Sequence, residues 1–236
     1  MPNDPAVDAA ADAALVLIHP GARVGLGSGR AAAAFIAKLG AQVRHGFLVA
    51  GVPTSDSSER QARELGIPLI ELTEDLQLDL TVDGADEVAP NLDLVKGWGN
   101  ALVRERIVAA ASKRQVILVG EEKLVRSLGQ RGRIPVEIIP LARGPVTRAL
   151  KALKLQPTLR NGPDHAPVVT DNGNWTIDCA LSSPLKGGPA ARKLETALLA
   201  IPGVVDTGLF LGTAERVLVG YADGRVETRV RRRSAR

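Results

Sequence analysis

The sequence predicts an α/β protein, an open parallel sheet with crossover helices followed by a smaller α+β segment. From Ala22 onward, short β-branched or apolar runs alternate with helical stretches, the pattern that crossover connections write into a chain. The regime then changes at Gly129-Gln130-Arg131-Gly132-Arg133, a punctuated stretch typical of a domain boundary. The length of 236 residues also exceeds the roughly 100–150 of a common single domain.

In chain order, the Ala-rich segment Ala6–Ile18 reads as a helix stopped by His19-Pro20-Gly21. Strands are predicted at Arg23–Leu26, Phe47–Gly51, Pro68–Glu71, Leu78–Val82 and Gln115–Val119. Helices are predicted at Arg30–Leu39, Ser57–Leu65 and Asn100–Ala111, with Gly40 and Gly66 as C-terminal stops. Beyond the boundary come a helix at Val146–Leu153, strands near Thr158–Arg160 and Pro167–Thr170, a strand at Trp175–Cys179 and a helix at Ala190–Leu199. Asn172-Gly173 signals a hairpin turn. Val204–Phe210, Val217–Tyr221 and Val226–Val230 read as strands returning to the first sheet.

Composition excludes several functions. Hydrophobic residues at 45% and charged ones at 24% describe a soluble globular chain. Aromatics at 3% are too few to build the stacking platforms of a single-stranded nucleic-acid binder. Cys179 is the single cysteine, so there is no internal disulfide, and His19, His45 and His165 are too dispersed for a zinc site; no metal is expected. The five arginines at 229, 231, 232, 233 and 236 account for more than the whole net charge of +4, so basicity belongs to a solvated tail rather than to a nucleic-acid surface. Asp4, Asp8 and Asp12 replace the basic start of a secretory signal, and no apolar run reaches eighteen residues. A cytoplasmic protein without membrane partners is expected.

Four motifs carry candidate chemistry. Gly25-Leu26-Gly27-Ser28-Gly29-Arg30 leaves a strand and enters a helix, where free amides and the helix dipole favour an anion. Arg30 occupies the sixth position of what would be a dinucleotide fingerprint, and no acid ends the second strand, so a nicotinamide site is rejected. A tight β-to-α turn is the competing reading. Thr54–Ser58 has the same ambiguity, with helix capping favoured. Asp83-Gly84-Ala85-Asp86-Glu87 sets carboxylates at a strand's carboxyl end, which is either a ligand crevice or a solvated turn.

The remaining motifs supply a base and cations. Lys96-Gly97-Trp98-Gly99-Asn100 runs into a helix on which the three- and four-residue neighbours of Glu105 are Ala101, Leu102, Val108 and Ala109. An apolar surround raises a carboxylate's pKa, as a general base near neutrality needs; a salt-bridged Arg104-Glu105-Arg106 surface patch fits the same residues. Lys123 follows another strand end. Carboxylates, lysines and an anion cradle at strand ends of one sheet suit proton abstraction beside a carbonyl in a phosphorylated substrate.

Taken together, Val24–Gly29, Val82–Glu87, Lys96-Gly97, Arg104-Glu105, Lys123, Pro135-Val136-Glu137, Thr170–Asn174 and Ile201–Val205 with Gly208–Phe210 resemble the type A ribose-5-phosphate isomerase family across nearly the whole chain. The resemblance implies a Rossmann-like main domain (1–129 and 206–236) with an inserted ferredoxin-like α+β domain (130–205), a homodimer or tetramer, and isomerisation of ribose 5-phosphate and ribulose 5-phosphate without a cofactor. It implies that Glu105 is the general base, that Asp83 and Asp86 serve ring opening and hydroxyl proton traffic, and that Lys96 faces the developing oxyanion. Substrate contacts are implied for Gly27, Ser28, Gly29, Arg30, Ala31, Gly84, Ala85, Gly97, Trp98, Gly99 and Lys123.

The chain departs from the family pattern at Arg30-Ala31 in place of Ser-Thr, at Trp98 in place of Gly, at Gly120 in place of Asp and at Val7 in place of Lys. These changes bear on the phosphate and the pocket, so a tetrose phosphate is a competing substrate. A non-catalytic sugar-phosphate sensor is the alternative outside enzymes, although the first twenty residues offer no DNA-binding helix-turn-helix. An acyl-CoA transferase would need a CoA site that the sequence does not display.

Overall fold

The computed structural model describes residues 4–231. Its elements in chain order are α1 (Pro5–Leu15), β1 (Ala22–Leu26), α2 (Gly29–Arg44), β2 (Val49–Pro53), α3 (Asp56–Glu64), β3 (Leu80–Gly84), β4 (Glu87–Val88), β5 (Leu94–Val95), α4 (Leu102–Ala110) and β6 (Gln115–Gly120). There follow β7 (Ile134–Ile138), α5 (Arg143–Ala152), β8 (Gln156–Leu159), β9 (Trp175–Ala180), α6 (Gly187–Leu199), β10 (Val204–Thr207), β11 (Leu209–Phe210), β12 (Arg216–Gly220) and β13 (Val226–Val230), with single 3-10 turns at Glu121–Lys123 and Pro140–Ala142.

The chain divides into two compact units. The first comprises the residues up to Ala85, Arg104–Lys123 and the chain from Gly212 onward. Its sheet has the order β13-β12-β6-β3-β1-β2, all parallel except the edge strand β13. Every residue of β6 is buried, as a parallel strand covered on both faces requires. Alternation along the strands assigns the faces: Val24, Leu26, Leu80 and Val82 pack with Phe35, Ile36 and Leu39 of α2 and with Ala10, Ala11 and Ala14 of α1. Each fully buried Leu or Phe here contributes about 1.5–3 kcal/mol before the entropy of ordering it. The opposite face holds Val52 of β2 and Val108 of α4, which cluster with Leu78, a residue that precedes β3.

Local signals explain the helix starts. Asp4 caps α1 through Val7 N–H and Pro5 opens it, while Ser55 and Ser58 form a reciprocal capping box on α3. Gly66, at φ +74°, ends α3 as expected. Gly40 does not end α2. It is buried inside the helix, where a Cβ would stand 2.6 Å from Leu65 Cβ, so it is a glycine of close helix packing rather than a stop.

The second unit, Asp86–Val103 with Leu124–Leu211, contains an antiparallel sheet of order β10-β7-β9-β8 and a three-stranded sheet of order β11-β5-β4. The succession β7-α5-β8-β9-α6-β10 is the ferredoxin-like βαββαβ arrangement. Its core gathers Ile134, Val136, Ile138, Val146, Leu150, Ile177 and Leu198.

Several expectations need correction. Pro68–Glu71 supplies only the bridge between Gly51 and Leu69, and Pro167–Thr170 only isolated bridges, although Gly173 turns at φ +76° as the Asn172-Gly173 signal predicts. Val204–Phe210 breaks at Gly208 into β10 and β11, which stay in the second unit. The expected bounds 1–129 and 206–236 against 130–205 therefore differ from these units, because the β4–β5 hairpin pairs with β11. Arg232, Arg233 and Arg236 of the expected basic tail lie outside the described residues. Arg229 is a strand residue paired with Glu227, and Arg231 donates to the Ala214 carbonyl, so these two arginines do not belong to a solvated tail.

Candidate functional site

In the first unit, β1 is flanked by β2 on one side and β3 on the other, so the strand order reverses at β1. Open α/β sheets bind ligands in the crevice beyond the carboxyl ends of strands at such a reversal. Gly27 and Ser28 leave β1 at this point, and Asp83 and Gly84 end β3 beside them. Asp83 is buried, and its Oδ1 accepts the backbone N–H of Ser28 at 3.0 Å and of Gly84 at 2.7 Å. The two strand ends are thereby locked to one carboxylate.

Ser28 precedes α2 in extended conformation and makes no side-chain cap to it. Its hydroxyl instead bonds Thr54 Oγ1 at 2.8 Å and Ser55 Oγ at 2.7 Å. The amides opening α2 at Gly29, Arg30 and Ala31 carry the positive end of the helix dipole. Ala31 Cβ lies 3.8 Å from where a Cβ on Gly84 would be. Arg30 is two-thirds exposed, its Nη1 3.9 Å from Asp4 Oδ2, and it lines a cavity of about 550 Å³ with Val7, Asp8, Ser28, Ser57 and Gln61.

Glu105 sits on α4 and is 6% exposed, which excludes the surface-patch reading for this residue. Arg104, next to it, is the surface partner, donating to Asp56 Oδ1 at 2.7 Å. Three residues after Glu105 on the same flank of α4, Val108 packs on Gly25, where an added Cβ would stand 2.5 Å from Val108 Cγ1. Gly25, Thr81 and Asp83 occupy the sheet face opposite Val24, Leu80 and Val82, so Asp83 and Glu105 belong to the same, α4-covered face. Lys123 is half-buried on the turn that follows β6, the neighbour of β3. Ala85 is the last residue of this unit before the crossing at Asp86.

Asp86 and the loop Lys96–Asn100 are built by the second unit. Asp86 Oδ2 accepts Trp98 N–H at 2.9 Å, and its own N–H donates to Val95 O at 2.8 Å. Lys96 is 2% exposed, its N–H bonded to Gly208 O, its Nζ 5.6 Å from the Phe210 ring centroid. Gly97 has φ +100° and packs on Leu102, Gly99 is exposed, and Asn100 takes φ +66°. The Trp98 ring faces Arg133 at 4.8 Å and Arg131 at 5.7 Å. Among the described residues no group of three or more His, Cys, Asp or Glu side chains is placed to hold a metal ion, and no helix is long and apolar enough to cross a membrane.

The family model for ribose 5-phosphate isomerase A (phosphoriboisomerase A) matches residues 50–224. A relative from Nitrobacter hamburgensis named ribose-5-phosphate isomerase A is 43% identical over 221 residues, covering 91% of this chain and 93% of its own. One of the same name from Gloeobacter violaceus is 45% identical over 218 residues, covering 91% and 92%. This chain belongs to the ribose 5-phosphate isomerase A family.

The structure of ribose 5-phosphate isomerase A from Methanocaldococcus jannaschii is similar at TM-score 0.88 and 39% identity, over 96% of this chain and 98% of that one. A D-ribose-5-phosphate isomerase solved in complex with phospho-erythronic acid is similar at TM-score 0.91 and 37% identity, over 98% and 100%. For this family member, the matched segment contains Asp83, Asp86, Lys96, Glu105 and Lys123 and begins beyond the loop Gly27–Ala31. Within the expected capping segment Thr54–Ser58 it is Ser55 and Ser58 that cap the helix, while Thr54 joins the Ser28 hydroxyl to the Leu26 carbonyl; sequence reasoning overlooked Arg160, which bonds the Gly97 and Trp98 carbonyls. An arginine closing a predicted strand just before Asn161-Gly162 was the available signal for this residue.

Proposed function

We propose that this chain interconverts ribose 5-phosphate and ribulose 5-phosphate, with Glu105 carrying a proton between C2 and C1. Glu105 takes the C2 proton of the open-chain aldose, the C–H pair becomes the C1–C2 double bond, and the C1 carbonyl pair moves to O1, which is protonated. The 2-hydroxyl of this enediol then loses its proton, C2 becomes the carbonyl, and Glu105 returns its proton to C1. Lys96 supplies positive charge to the enediolate oxygen, and Asp83 and Asp86 move the hydroxyl protons and assist ring opening. Gly27, Ser28, Gly29, Arg30, Ala31, Gly84, Ala85, Gly97, Trp98, Gly99 and Lys123 contact the substrate.

The observation that carries this reading is the burial of the Glu105 carboxylate on the sheet face that also holds Asp83. A positioned general base supplies roughly 10²–10⁴-fold, and charge stabilisation of the enediolate supplies more. A cytoplasmic homodimer or tetramer acting without metal or organic cofactor completes the proposal, and sedimentation at working concentration distinguishes it from a monomer. The test of the reaction is Glu105→Gln assayed on ribose 5-phosphate: kcat falls at least about 10²-fold with a smaller change in KM. Near-normal turnover by the folded variant overturns the assignment.

A further inference from the structure

We infer that Arg160 is a positioning residue for the loop Lys96–Asn100, holding it in the geometry that catalysis uses; this rests on the functional reading of Lys96 above. The guanidinium reaches the loop along one edge and a carboxylate along the other. Nη1 donates to the carbonyls of Gly97 at 2.9 Å and Trp98 at 3.3 Å and to Asn100 Oδ1. Nε donates to Asp178 Oδ2 at 2.9 Å, and Nη2 to Asp178 Oδ1. Both side chains are about nine-tenths buried.

The network closes on itself. Asp178 Oδ2 also takes Arg133 Nη1 at 3.2 Å, the Arg133 guanidinium lies over the Trp98 ring, and the Trp98 indole N–H points to the Arg133 carbonyl at 3.4 Å. Asp86 holds the Trp98 N–H from the other side. The loop is thus fixed at two carbonyls, one amide, one side-chain amide and one aromatic ring.

Stability alone gives a poor reason for such a device. Replacing a buried ion pair by apolar residues of similar volume is often neutral or stabilising. What the planar fork adds is orientation, since one guanidinium can satisfy a carboxylate on one edge and diverging carbonyls on the other. Gly97 and Asn100 turn the loop at φ +100° and +66°, conformations that glycine and asparagine adopt readily, so the backbone by itself does not fix the loop and the guanidinium supplies the hold. Gly97 adjoins Lys96 directly, so a shift of the loop carries the ammonium with it. A displacement of about 1 Å at a reacting group costs on the order of 10²-fold in rate.

The experiment compares Arg160→Ala, Arg160→Lys and Lys96→Met, each with and without Trp175→Phe, which leaves Trp98 as the only tryptophan. Arg160→Ala is expected to lower kcat about 10²-fold while KM moves less than about threefold, to shift Trp98 emission to the red, and to regain part of kcat on addition of guanidinium ion but not of sodium ion at equal concentration. Arg160→Lys, which keeps the charge and serves if the alanine variant does not fold, is expected to lose about tenfold with the same emission shift. Full kcat in a folded Arg160 variant while Lys96→Met is inactive overturns the positioning role alone. So does a loss of kcat with unchanged Trp98 emission and no recovery by guanidinium. An active Lys96→Met overturns the reading of the loop, and this inference with it.

Discussion

Gly27 and Asp83 approach so closely that a Cβ on Gly27 would stand 2.5 Å from Asp83 Cα. The glycine at the end of β1 is therefore what lets the carboxylate at the end of β3 accept the Ser28 and Gly84 amides. Gly27→Ala must push β1 and β3 apart at the point where the sheet order reverses. The expected result is a loss of kcat of at least about 10-fold, accompanied by a lower thermal midpoint, since overpacking of this kind costs about 1–3 kcal/mol. Unchanged turnover and midpoint would show that the strand ends open without consequence.

Arg30 is expected to read the phosphate. Its surface pair with Asp4 at 3.9 Å is a weak competitor, worth little in solvent, whereas a phosphate at the start of α2 offers bidentate geometry and the helix dipole. Arg30→Ala should raise KM for ribose 5-phosphate about 10-fold and leave turnover of unphosphorylated ribose, assayed alongside, unchanged. An equal effect on both sugars, or on neither, means that the side chain does not contact the phosphate. Running the same assay with erythrose 4-phosphate shows whether Arg30 and Trp98 shift preference toward the shorter sugar.

Cys179 should be inert in the folded protein. Burial pushes its thiol up to about 12, with the neighbouring Asp178 charge acting in the same direction, so the thiolate is scarce at pH 8. A thiol reagent at pH 8 should titrate no group in the native protein and one in denaturant; reaction of the native protein at the denatured rate contradicts this. The sign for stability follows from linkage. Because the folded pKa lies above the unfolded one, the contribution is present below about pH 9 and is lost as pH rises toward 12.

Turnover should survive exhaustive chelation, because the proposed steps use only carboxylates and ammonium groups. Activity that disappears with chelator and returns with Mg²⁺ or Zn²⁺ rules this out.

Much of this architecture is legible in the sequence because parallel strands and their helices announce themselves locally. β1 and β6 differ from expectation by one residue at one end, and the glycine loop and Asp83 fall at strand ends where hydrophobic runs stop. β7 is harder to read. Pro135 argues against a central strand, yet β7 lies between β10 and β9, with the proline one residue past the end of its register with β10, where Gly208 donates to its carbonyl. β4, β5 and β11 have two residues each, too few for any periodicity to show. Arg160 and Asp178 escape notice for a different reason. Their value comes from antiparallel pairing of β8 with β9 and from a loop some sixty residues upstream, relationships that no local pattern contains.

The central claim is that Glu105 moves one proton between C2 and C1, and deuterium exchange tests it most directly. The carboxyl proton of Glu105 exchanges with solvent while the enediol persists, so ribose 5-phosphate incubated with the protein in D₂O should gain deuterium at C2, and the ribulose 5-phosphate formed should carry it at C1, both followed by proton NMR. Glu105→Gln should abolish incorporation into either sugar while ribose 5-phosphate still binds. Undiminished isomerisation by a folded Glu105→Gln, with deuterium still entering either sugar, would contradict the account.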